Sequence, residues 1–189
     1  PACKERAFSF TAEFISFNDS LPAHRPRLLP MSLTAATLIP GVLLVLIGVP
    51  LLLNHRGYAA MLKAFPRSTA AAYVFFGAGA AWFLHAIWHL SPADFGEYRT
   101  YLFFGFLAVA IFSFKCVPDF LAVRGLATLV LMGAMPLLDA AYMEYEKPQR
   151  LLMVSAVYLA LSAAIWLGAQ PWRLRDFLGW LFAQPGRAR

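Results

Sequence analysis

The chain has 189 residues, of which 60% are hydrophobic and 14% charged, and a formal net charge of +6. A soluble globular chain carries about 25% charged residues; here the apolar residues arrive in blocks of about 20, the length that crosses a hydrocarbon core of roughly 30 Å. An ordinary soluble domain is therefore excluded. The bases, scattered through short loops and a tail instead of forming one patch, leave no footprint for nucleic acid.

Residues 1–30 differ from everything after them. Pro22, Pro26 and Pro30 alternate with His24, Arg25 and Arg27, no core-forming pattern is present, and the first methionine is Met31. The expectation is a disordered leader, or sequence translated ahead of a start at Met31. The alternative is a short amphipathic helix over 7–17, where Phe10, Phe14 and Phe17 recur at helical spacing. The two cysteines, Cys3 and Cys116, lie far apart with no CxxC, so they define neither a disulfide framework nor a zinc site.

Five spans are expected within 31–169. The first, about 33–53, is uncharged and contains Pro40 and Pro50, each of which removes a backbone donor. With no basic segment ahead of it and no cleavage pattern, it is a retained span. A basic loop, 54–68, leads to the second span, about 69–90, where Gly77 and Ala81 offer close helix contact. The third, about 100–117, is rich in phenylalanine, with Lys115 placed to snorkel. Pro118-Asp119 reads as a helix start, and the fourth span, about 125–143, carries Pro136 and the single acid Asp139. The fifth, about 151–169, has a row of small residues, Ala156, Ala160, Ala164 and Gly168, that would let two helix backbones approach.

The tail, 170–189, is not a sixth span. Leu174, Phe177, Leu178, Leu181 and Phe182 follow helical spacing, with Arg173, Arg175 and Asp176 off the stripe and Trp172 and Trp180 beside it. That pattern predicts a helix lying in the membrane surface. The expected fold is thus an all-α, five-helix membrane bundle with a carboxyl-terminal interfacial helix. Nine bases fall on the side of the first loop: Arg56, Lys63, Arg67, Lys115, Arg124, Arg173, Arg175, Arg187 and Arg189. Outside the leader, the other side has only Arg99, Lys147 and Arg150. The positive-inside rule then puts the amino end outside and the carboxyl end in the cytoplasm. The alanine, arginine and glycine bias points to a bacterial inner membrane.

Chemistry is sparse. His85 and His89 share one side of a helix and could in principle hold a metal or haem. Their partners are missing, because His55 lies at the opposite face and His24 in the leader. Interfacial histidines bonded to their neighbours are the simpler account, and no cofactor is expected. Asp139 is an ionisable group inside a span, and so a functional hypothesis by default. Its depth matches that of His85, which predicts an outer polar cluster extended by Asp94, Glu97 or Glu144, serving either to fix register or to handle a cation or proton. Lys115, Asp119 and Arg124 could pair at the inner face, in a structural role. No nucleotide loop, zinc-protease motif, nucleophile elbow or haem-attachment motif occurs, and no internal repeat suggests a transporter. The favoured function is a non-catalytic membrane subunit or scaffold that packs through small-residue faces, its partners being the bilayer and other subunits or a second copy. The alternatives are a small permease or ion-handling protein built on Asp139, His85 and His89, and then a metal- or haem-binding protein.

Overall fold

The computed structural model describes residues 31–53, 56–142, 144 and 146–183. The expectation for the leader concerns residues 1–30 and lies outside them, as do His24, His55, Arg187 and Arg189. Among the described residues every regular element is helical, and five helices are long and apolar enough to cross a membrane.

Helix α1 spans Leu33–Leu52. Ser32 begins it in an extended conformation, its hydroxyl accepting from the Ala35 amide at 3.2 Å and satisfying one of the orphan donors of the first turn. Pro40 and Pro50 sit inside the helix. The Ile47 carbonyl, one turn before the helix ends, accepts the Tyr58 hydroxyl at 3.2 Å. Tyr58 belongs to α2, Arg56–Ala64, which continues into a 3-10 turn, Phe65–Arg67. The sequence predicts a loop here. Nine residues are too few to hold a helix in isolation, and packing against the carboxyl-terminal helix supplies what propensity does not.

Helix α3 runs over Thr69–Trp88. Ser68 caps it by accepting from the Ala71 amide at 3.2 Å, and a π-helical segment, Ala72–Phe76, interrupts it. Two 3-10 turns, Pro92–Asp94 and Gly96–Tyr98, flank the left-handed Phe95 (φ 63°) and lead to α4, Arg99–Cys116. A second left-handed residue, Phe120 (φ 58°), precedes α5, Leu121–Ala141. This helix starts four residues before the predicted span, and Asp119 makes no capping bond. The cap position falls on Phe120, one residue past the acid that the Pro-Asp pattern suggests. Helices α6, Arg150–Ala169, and α7, Trp172–Leu181, complete the chain.

The bundle is organised around α5, which packs against α1, α3 and α6. At one end Leu33 and Ala36 of α1 meet Ala134 and Ala141 of α5 and Met153 and Val157 of α6. At the other, Ala72 of α3 meets Leu121 and Ala122, with Phe65, Phe76 and Phe114 around them. These ends are called the His89 end and the Phe120 end below. The α3–α5 crossing is nearly backbone to backbone: a β-carbon on Gly125 would overlap the Phe76 backbone, and one on Gly79 would lie 3.3 Å from Thr128. Gly77, the predicted contact, has nothing within 4 Å of such an atom, and Ala81 is exposed. Helix α4 is held to α3 by four aromatic pairs, Tyr73–Phe114, Phe76–Phe114, Phe83–Phe106 and Trp88–Phe103, which fix the two helices antiparallel. No residue of α4 is buried.

Candidate functional site

The α3–α5 contacts set a parallel register, with Phe76 against Gly125, Gly79 against Thr128 and Trp82 near Gly133. Continued to the His89 end, this register brings Asp139 level with the end of α3, nearer in height to His89 than to His85. The histidines themselves are together. Their ring centroids lie 4.3 Å apart, and His89 Nδ1 donates to the His85 carbonyl at 2.8 Å. A carbonyl only accepts, so Nδ1 is the donor in this contact. Both histidines and Asp139 are exposed, and no hydrogen bond or ion pair joins Asp139 to either ring among the described residues.

Of the three acids predicted to extend this cluster, Asp94 and Glu144 have local partners instead, and Glu97, exposed in the turn before α4, makes no bond to it among the described residues. Asp94 Oδ2 accepts from the Ser91 hydroxyl at 2.9 Å, and Glu144 pairs with Lys147 at 3.0 Å. Arg150, at the start of α6, reaches back to the Ala141 carbonyl at the end of α5, 3.5 Å away. Such local bonds satisfy a carboxylate or a helix terminus without creating a ligand site. No group of three or more His, Cys, Asp or Glu able to hold a metal occurs among the described residues, and none has a buried polar side chain.

The small-residue row on α6 divides. Ala164 is buried, and a β-carbon on Gly168 would meet Ala127 at 3.7 Å; Ala156 and Ala160, one and two turns earlier, are exposed. The face that α6 turns to α5 runs through Met153, Val157 and Leu161 before reaching Ala164.

The stripe on α7 divides too. Leu178 is buried and Leu174, Leu181 and Phe182 are half-buried, while Phe177 is exposed and stacks on Trp180 with ring centroids 6.2 Å apart. The buried side meets α2, the 3-10 turn after it and α6. Lys63 Nζ sits 5.5 Å from the Phe182 ring centroid, clipping α2 to α7. Lys115, Asp119 and Arg124 make no ion pair with one another. Sequence reading missed what takes their place. Arg67 and Arg175, 108 positions apart in the chain, both lie over the Phe120 ring, 5.8 Å and 5.9 Å from its centroid. Two bases and an aromatic so widely separated leave no local pattern to find.

Comparison with family models, with curated proteins and with solved structures finds no match for this chain.

Proposed function

We propose that the chain is a five-span membrane protein acting as a non-catalytic subunit or scaffold, which packs its small-residue faces against partner helices or a second copy. The observation that carries this reading is the division of the α6 row: Ala164 and Gly168 are used within the chain, whereas Ala156 and Ala160 are left open on the same helix. In hydrocarbon, open small residues let a second helix come close enough for dispersion and weak Cα–H hydrogen bonds to hold it. The outer surface fits a bilayer, since the outward residues of the long helices are large and apolar, from Leu44 on α1 (69% exposed) to Leu159 on α6 (73%). The positive-inside rule supports a cytoplasmic Phe120 end, with the start of α1 outside, and the composition supports a bacterial inner membrane.

Asp139 keeps a second reading in view. A carboxylate near a span end with no partner among the described residues could serve ion or proton handling together with His85 and His89.

The test is site-specific oxidation in native membranes, on a background of Cys3→Ser and Cys116→Ser. Ala156→Cys or Ala160→Cys is expected to form a disulfide-linked dimer or a defined adduct, and Ala160→Phe to abolish assembly while leaving the monomer folded. A bare monomer in mild detergent, with no cross-link at either position, overturns the subunit reading.

A further inference from the structure

We propose that Arg67 and Arg175, which meet on the Phe120 ring, together with Arg124, whose backbone amide donates to the Phe120 carbonyl, form a binding site for the phosphate of an anionic phospholipid headgroup. The proposal rests on the membrane reading above and is independent of the subunit reading.

Three separate parts of the chain make this site: the 3-10 turn after α2, the α4–α5 junction and α7. Arg67 and Arg175 converge on one ring, each just under 6 Å from its centroid, so their guanidiniums are no farther apart than twice that distance. The ring's quadrupole attracts each cation, but two like charges gathered on one ring still repel each other. Arg175 spends its Nε and one amino group on Asp176 Oδ1, at 2.9 Å and 2.7 Å. Arg67 has no carboxylate partner among the described residues. Arg124, in the first turn of α5, is half-buried and likewise makes no side-chain hydrogen bond or ion pair among them. A phosphate is the anion that a planar fork of guanidinium donors fits best.

The conformation of Phe120 points the same way. A left-handed backbone is disfavoured for a bulky residue, and at Phe120, unlike the exposed Phe95, it is held by packing, since the residue is half-buried. Here the ring meets two arginines at the junction of α4 and α5. Charge complementarity selects the occupant. Among the described residues this end carries Lys63, Arg67, Lys115, Arg124, Arg173 and Arg175 against only Asp119 and Asp176. Beside them Trp172 and Trp180 of α7 stand exposed, and tryptophan is a residue that settles at headgroup depth. An anionic lipid brings its phosphate to that depth already oriented, which a free ion does not.

The experiment uses the full chain in phosphatidylcholine nanodiscs doped with phosphatidylglycerol, with bound lipid counted by native mass spectrometry. Wild type is expected to retain phosphatidylglycerol in preference to phosphatidylcholine. Arg67→Gln should lower that preference about fivefold, the loss of one base near an anionic surface, and Arg67→Gln with Arg175→Gln should bring it close to background. Lys147→Gln, at the opposite end, should leave it unchanged. The proposal is overturned if wild type shows no preference, if the double variant keeps it, if Lys147→Gln lowers it equally, or if inorganic phosphate displaces the lipid. Should the double variant fail to fold, the wild-type preference, the phosphate competition and the Lys147→Gln control still decide. Failure of wild type to enter the nanodisc at all is a different result, and overturns the membrane reading instead.

Discussion

Gly125 of α5 lies against the backbone of Phe76 in α3, so closely that a β-carbon on the glycine would overlap the phenylalanine's amide nitrogen and Cα. The contact falls at the last residue of the π-helical segment Ala72–Phe76. A wider turn of this kind moves backbone out of the regular helical path, and the missing side chain on α5 receives it. Around this point Leu121, Ala122 and Val123 are among the most deeply buried residues described, at 3%, 1% and 1% exposure. The α3–α5 crossing is nearly backbone to backbone at this point, and what it tolerates is predictable.

Gly125→Ala is expected to destabilise by about 1–3 kcal/mol, the usual cost of overpacking, because the atoms in the way are backbone and cannot rotate aside. Gly125→Leu is expected to yield no monodisperse protein. Gly105→Ala on α4 is the control of opposite sign. Nothing lies within 4 Å of its added atom, so the change should stabilise by about 0.5–1 kcal/mol through helix propensity alone. Thermal unfolding in a single detergent, with size-exclusion profiles, measures all three. A Gly125→Ala protein as stable as wild type would refute the crossing.

The two left-handed phenylalanines should respond in opposite directions to the same substitution. Asparagine accepts this conformation more readily than phenylalanine, relieving about 1 kcal/mol of strain. Phe95 is 74% exposed, so Phe95→Asn should raise the unfolding midpoint in detergent by a few degrees. At Phe120 the same relief is offset by losing the ring beneath Arg67 and Arg175, each contact contributing about 0.5–1 kcal/mol. Phe120 is also half-buried, so further packing is lost with it. Phe120→Asn should therefore lower the midpoint, and a rise would show that the arginines contribute nothing through the ring.

Much of the fold is legible from residue order because hydrocarbon leaves the chain few choices. Twenty apolar residues with a cap such as Ser32 ahead of them form one helix, and the spans end within a few residues of where composition changes. Helix α2 is hidden for the opposite reason, since nine mixed residues become helical through contacts that local sequence does not encode. The start of α5 is misplaced because an Asp beside a Pro normally marks a helix cap, and here Phe120 takes that position in a left-handed turn. The histidine pair is visible as an i, i+4 spacing. Its relation to Asp139 depends on a register fixed by Gly79, Gly125 and a π segment, none of which helical periodicity reveals. The meeting of Arg67 with Arg175 over Phe120 is a purely tertiary fact.

The subunit reading makes a demanding prediction about the residues that look most chemical. His85 and His89 supply at most two of the four positions zinc takes, and His89 has one ring nitrogen engaged with the His85 carbonyl. No third ligand gathers with them among the described residues. Asp139 bonds to neither ring among the described residues. A working metal ligand or proton carrier is a group whose removal is felt, whereas substitutions at exposed positions with only a local neighbour, such as the ring contact and single bond within the histidine pair, shift stability by no more than about 0.5 kcal/mol. His85→Ala, His89→Ala and Asp139→Asn are therefore each expected to leave unfolding midpoint, assembly state and metal content as in wild type, by thermal scanning, native mass and elemental analysis. Stoichiometric metal or a Soret band that disappears in His85→Ala would instead make the pair a cofactor site. Proton flux into proteoliposomes that Asp139→Asn abolishes, with assembly intact, would replace the scaffold by an ion-handling protein.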